Sequence, residues 1–175
     1  MSPRYIGIDP DTKNTAVALV DIGGRVEKLR IVKAPGYLEM LAELPAQLSQ
    51  FVEGSQIVGA VVEGQEINYR FTKRPNDIVK LAQVAGGCAA VLSGLLPEVP
   101  RVAIPVPKRW KGNVPKQIHH GRILRRQGWG YEKAGTKESG YCVPTDSPFR
   151  FGKTEWKHLV DAIGLACWAK DMDRR

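Results

Sequence analysis

The chain has 175 residues, a mass of 19.3 kDa and a formal net charge of +8, from 26 Lys+Arg against 18 Asp+Glu. With 43% apolar residues it builds an ordinary core without staples, and Cys88, Cys142 and Cys167 are too few and too scattered for a disulfide framework or a tetrahedral zinc site. No signal-peptide pattern opens the sequence and no segment is expected to reach the ~20 apolar residues of a membrane helix, so a soluble cytoplasmic protein with no membrane partner is expected.

In chain order, residues 5–9 form a short apolar run closed by Asp-Pro, a turn signal. Residues 15–21 resume the apolar character, Gly23-Gly24 reverse the chain, and 25–32 alternate as a third strand, together an antiparallel meander. Over 37–52, Leu38, Leu41, Leu44 and Leu48 recur at helical spacing, with Pro45 marking a kink or break. Residues 56–62 are nearly all apolar, as in a strand buried on both faces, and Glu63 ends them. A helix is expected over 76–92, a fifth strand over 99–106 and a short basic helix over 116–127. Residues 128–153, rich in Gly, Ser, Thr and Pro, read as a long loop, and a last helix spans 154–172. Strand order βββ-α-β-α-β, then two helices flanking the loop, predicts an α/β fold. The expected form is a ribonuclease-H-like mixed five-stranded sheet, an antiparallel meander plus parallel strands, flanked by helices, in one domain over 1–175.

Functional groups of open sheets cluster beyond the strand ends, which selects Asp9 and Glu63. His158 and Asp161, three apart on the last helix, share a face. Four donors, Asp9, Glu63, His158 and Asp161, are therefore candidates to converge. A carboxylate-rich set with one imidazole suits Mg2+ or Mn2+ better than zinc. Two such ions about 3.5–4 Å apart activate water and stabilise the leaving oxygen of a phosphodiester. Each residue also has an ordinary role available: Asp9 as a turn residue, Glu63 as a strand end, His158 as a structural histidine. Glu155, one turn before His158, is a further ligand or a first-turn charge. Between Arg101 and Lys133 stand nine basic residues and one acid, Glu132, a patch that favours nucleic acid through counterion release.

At these residues the sequence resembles the RuvC family of Holliday junction resolvases. Ile6-Gly7-Ile8-Asp9-Pro10 is similar to the family's first-strand motif and Val62-Glu63-Gly64-Gln65 to its second. Lys80-Leu81-Ala82-Gln83-Val84-Ala85-Gly86 looks like the helix that follows, and His158-Leu159-Val160-Asp161-Ala162 like the last motif in its histidine-and-aspartate form. The resemblance implies a homodimer that binds four-way junctions in DNA recombination and repair. It also implies symmetric hydrolysis of two strands by water, with Mg2+ or Mn2+, two ions per site, held by Asp9, Glu63, His158 and Asp161. It further implies a DNA-contacting set of Tyr69, Arg70, Phe71, Lys73, Arg74, Lys80, Lys108, Lys111 and Lys116, with Tyr69 or Phe71 stacking on a base.

Two departures stand out. The first turn reads Asp-Pro-Asp-Thr-Lys where the family usually has a glycine and a serine, so Asp11 either tunes a metal site or caps the turn. The 128–153 stretch is longer than usual and holds Trp129, Tyr131, Lys133, Lys137, Tyr141 and Arg150, a mix that suits DNA contact or a surface excursion. The competing readings are a broader flap or fork nuclease of the same fold and a non-catalytic branched-DNA-binding protein. A sugar-kinase-like enzyme shares the opening motif but needs two such domains, more than this chain supplies.

Overall fold

The computed structural model describes residues 2–66, 75–99, 102–136 and 140–173. Strands β1 (Arg4–Asp9), β2 (Asn14–Asp21) and β3 (Val26–Lys33) make the expected meander, followed by α1 (Tyr37–Val52), β4 (Ile57–Val62), α2 (Pro75–Leu95) and β5 (Val102–Ala103). Next come α3 (Pro107–Lys111), α4 (Lys116–Arg126), a hairpin of β6 (Tyr131–Ala134) and β7 (Tyr141–Pro144), and α5 (Lys153–Asp173). The five-stranded sheet has the order β3-β2-β1-β4-β5. Its first three strands are antiparallel, and β4 and β5 run parallel to β1, as a crossover through α1 requires.

Side chains alternate across a strand, and this sheet uses both faces. Ile6, Ile8, Val17, Leu19 and Val62 face α1 and α2, meeting Met40, Leu44, Leu48 and Leu92. Tyr5, Ala16, Ala18, Val20 and Val61 face α5 and the hairpin, meeting Leu159, Ile163, Ala166 and Val143. Gly7 has a specific purpose on that second face. A Cβ there would stand 2.2 Å from the Ala162 carbonyl oxygen and 2.3 Å from the Ala166 amide nitrogen. The absent side chain lets α5 lie directly on β1.

Several expectations are corrected. The 128–153 segment is a packed hairpin rather than a long loop. Its strands pair from Tyr131–Pro144 to Ala134–Tyr141, and Cys142 and Val143 are buried. Around it Trp129, Phe149, Phe151 and Trp156 pack edge to face, with ring centroids 5.6–6.0 Å apart. Residues Tyr131-Glu132-Lys133-Ala134 are too polar to announce a strand, so tertiary packing decided it. Helix α1 runs through Pro45 without a break. Pro45 is exposed, and the buried Met40, Leu44, Leu48, Phe51 and Val52 hold the helix to the sheet, while Leu38, read as part of that face, points outward. The fifth strand shrinks to two residues, and α3, not anticipated, begins with Pro107 in its first turn, where proline's fixed φ helps.

Helix α2 overturns the expectation that no segment matches a membrane span: Asn76–Leu95 is long and apolar enough, with 28% of its apolar window buried. Its Ile78, Val79, Leu81, Val84, Val91, Leu92 and Leu95, interspersed with small residues, produce this. Its place beside α1, with Val84, Cys88 and Leu92 in the core, is that of a sheet-covering helix whose outer side is uncovered in one chain.

Candidate active site

Asp9 ends β1 and Glu63 directly follows β4, two neighbouring parallel strands in which Ile8 pairs with Val62. The Glu63 amide donates to the Ile8 carbonyl at 2.9 Å, extending the ladder by one bond and holding the two acids side by side. Both share the parity of Tyr5 and Val61, so both face α5. Because Gly7 lets α5 touch β1, His158 and Asp161 arrive at the same place. The His158 Nδ1 lies 2.8 Å from Asp9 Oδ2. Asp9, Glu63 and Asp161 are 6%, 9% and 2% exposed, far less than carboxylates at a solvated surface.

The third wall comes from α3 and α4. Trp110 donates its indole Nε1–H to Glu63 Oε1 at 3.0 Å, and its ring enters the notch left by Gly164 of α5, where a Cβ would meet it at 2.8 Å. The Lys111 ammonium stands between two acids, 3.3 Å from Glu63 Oε1 and 3.9 Å from Asp161 Oδ1. Lys116 pairs with Asp161 Oδ2, and His120 Nε2 lies 3.1 Å from Asp161 Oδ1. His119 packs edge-on against Trp110 at 4.9 Å, and burial lowers its pKa to about 4, so it is neutral.

The electrostatics follow from this crowding. Burial and the nearby Asp9 and Asp161 charges raise Glu63 to about 7, against the opposing pull of Lys111. Burial pushes Asp161 upward too, but the His120 hydrogen bond and the Lys116 and Lys111 charges outweigh it and hold that acid below its ordinary range. The hydrogen bond to Asp9 raises His158 above an ordinary imidazole. Lys111 is also raised, because Asp161 and Glu63 outweigh the cost of its burial.

The four predicted donors therefore meet, but as an Asp9–His158 pair beside a Glu63–Asp161 pair bridged by Lys111. Among the described residues no three carboxylate, imidazole or thiol groups stand close enough to hold a metal ion together. The donor chemistry nonetheless fits a hard divalent cation. Three buried carboxylates face one space, and burial together with the Asp9 and Asp161 charges raises Glu63 to about 7, a setting in which oxygen donors favour such an ion.

Lys111 and Lys116, expected at DNA phosphates, sit in the carboxylate cluster, while Lys108 is exposed on α3. Lys80 lies on α2 with its ammonium 5.5 Å from the Tyr37 ring centre. Tyr69, Arg70, Phe71, Lys73, Arg74 and Lys137 lie outside the described residues. Asp11 caps its turn, Oδ1 accepting from the Lys13 and Asn14 amides at 2.8 and 3.0 Å. Glu155 accepts from the Gly152 amide at 2.7 Å and pairs with Lys33, a first-turn role. Sequence reasoning missed Trp110 and His120. The signals available were Pro107 and Gly112 bracketing one helical turn, and the four-residue spacing from Lys116 to His120.

No family model matches the sequence. Over 86 residues the chain is 29% identical to the crossover junction endodeoxyribonuclease RuvC of Helicobacter hepaticus, a match spanning 47% of this chain and 46% of that one, so it spans about half the length of the curated relative. Among solved structures, T. thermophilus RuvC in complex with Holliday junction substrate superposes with a TM-score of 0.67 at 17% identity, covering 98% of this chain and 94% of that one. A second Thermus thermophilus RuvC structure gives a TM-score of 0.63 at 16% identity over 98% and 95% of the two chains. In fold over nearly its whole length, and in sequence over about half of it, the chain is similar to these RuvC proteins and has a ribonuclease-H-like architecture.

Proposed function

We propose that this protein is a structure-selective DNA endonuclease that cuts four-way junctions by metal-dependent phosphodiester hydrolysis in recombination and repair, acting in the cytoplasm. The observation that carries the reading is the placement of Asp9 and Glu63 on adjacent parallel strand ends, with Asp161 brought to them by α5, beneath the basic α3–α4 segment. A silent DNA-binding module has no use for three buried acids inside a basic patch, since burying each charge is costly.

In this reading Asp9, Glu63 and Asp161 hold Mg2+ or Mn2+, with His158 as a further ligand or as the group that orients water. The cations supply Lewis-acid polarisation of the phosphate and a more acidic water. The chain's own groups do the rest. The water oxygen gives up a proton to solvent as it bonds to phosphorus, the bond to the sugar oxygen breaks, and that oxygen takes up a proton from solvent in turn. Asp9 fixes the His158 ring through Nδ1 and leaves Nε2 to meet water or a phosphate oxygen. Trp110 restrains Glu63 and shields one side of it. Lys111 and Lys116, now paired with the acids, are placed to turn to backbone phosphate as DNA arrives.

A homodimer is part of the same proposal, because symmetric cutting needs two sites. The support is the outer side of α2, where Val79, Ala82, Gly86 and Ala90 are exposed on a helix otherwise apolar enough to be covered.

Cleavage of a labelled immobile four-way junction, with and without Mg2+ or Mn2+, tests the reading. The wild type makes paired metal-dependent nicks, and Asp9→Asn loses at least ~100-fold of the rate while still binding the junction. Tight binding without metal-dependent cutting by the wild type leaves a branched-DNA-binding protein instead. Equal cutting of flaps and forks leaves the broader nuclease.

A further inference from the structure

We infer that His120 is a positioning residue: from inside the core it orients Asp161, an inference that rests on the metal-dependent reading above. Helix α4 grips this one carboxylate with two side chains four residues apart, which lie on one helix face. The two grips differ in kind. His120 is fully buried at 0% exposure and touches Asp161 Oδ1 at 3.1 Å. Lys116, with a side chain 31% exposed, holds Oδ2 from a flexible stem that has room to leave. Oδ1 is therefore the permanently held oxygen and Oδ2 the exchangeable one.

The tautomer follows from the partner. An ionised carboxylate only accepts, so His120 Nε2 carries the hydrogen and donates it. Its other ring nitrogen, Nδ1, is buried and has no hydrogen-bond partner among the described residues. The ring is thus tied to the protein at a single polar point, the carboxylate of a candidate metal ligand. If the position served packing alone, an apolar side chain of similar volume would fill it without stranding a nitrogen. Groups behind metal ligands commonly have this arrangement, since they fix the ligand's plane and the lone pair it presents.

Three proteins decide it: wild type, His120→Leu, which keeps volume and removes the donor, and His120→Gln, which restores a donor. Mn2+ affinity without DNA is read by calorimetry, beside circular dichroism for folding and junction Kd without metal. His120→Leu weakens Mn2+ binding about 10- to 100-fold, His120→Gln recovers most of it, and junction binding is unchanged in both. In wild-type protein the His120 Nε2–H resonance, seen by 15N-resolved NMR, is protected from exchange and moves on adding Mg2+. This readout survives a misfolded variant. Mn2+ affinity in folded His120→Leu within twofold of wild type, or an Nε2–H resonance indifferent to Mg2+, overturns the inference and leaves the nuclease reading standing. A wild type that neither binds Mn2+ nor cuts the junction overturns both.

Discussion

Glu63 shows how a single side chain ties stability to function. Its carboxyl is raised to about 7 by burial and by Asp9 and Asp161, above the ordinary value of 4.5. At this carboxyl the folded protein therefore holds more proton than the unfolded chain between those values, and its own contribution to stability falls as pH rises through that window. The penalty reaches about 3 kcal/mol once Glu63 is fully ionised. Asp161 works in the opposite sense: held below its usual range by His120 and the lysines, it contributes stability that is lost only at strongly acidic pH. Buried His119, lowered to about 4, acts in the opposite sense over much of the same window, so the Glu63 contribution is read as a difference: in urea unfolding of metal-free protein between about pH 4.5 and 7.5, wild type should lose stability relative to Glu63→Gln as pH rises. Parallel profiles for the two proteins would place Glu63 in a more solvated setting. At this scale the acids were legible in the sequence because each is a polar residue at the end of, or inside, an apolar run. Trp110 and His120 were not, because both sit in a basic stretch that reads as surface. Their partners lie 47 and 41 residues away.

The elements that make the site are β1, β4, α4 and α5, and the tightest contact among them is at Gly7. Helix α5 approaches β1 so closely that any Cβ at this position meets backbone atoms, which have no rotamer to escape into. Gly7→Ala is expected to cost about 3 kcal/mol, the upper end for overpacking, read as a lowered Tm and urea midpoint. Because α5 carries His158 and Asp161, the same variant should lose cleavage even at temperatures where it stays folded. An unchanged Tm would mean that the helix stands further off. Elements announced by period were found within a few residues of their ends. The β6–β7 hairpin and α3 were missed because short polar strands and single helical turns take their stability from neighbours, here the Trp129–Phe149–Phe151–Trp156 cluster and the Gly164 notch.

At the scale of the whole molecule, the uncovered side of α2 bears on assembly. Nothing stands within 4 Å of a Cβ placed on Gly86, so a larger side chain is accommodated in one chain and felt only by a second. Gly86→Arg should convert the proposed dimer to a folded monomer in light scattering, with Tm nearly unchanged and paired nicking reduced to single nicks. A variant that stays dimeric would move the interface off this helix. Taken alone, the sequence determined the meander, the parallel strands, the strand-end acids and the basic character of residues 101–133, since all are set by local periodicity, composition and turn chemistry. Only the tertiary structure decided that Lys111 and Lys116 neutralise the acids, that His120 stands behind Asp161, and that 128–153 is a packed hairpin. Those outcomes depend on which distant groups share a low-dielectric space, and spacing along a chain carries no measure of that.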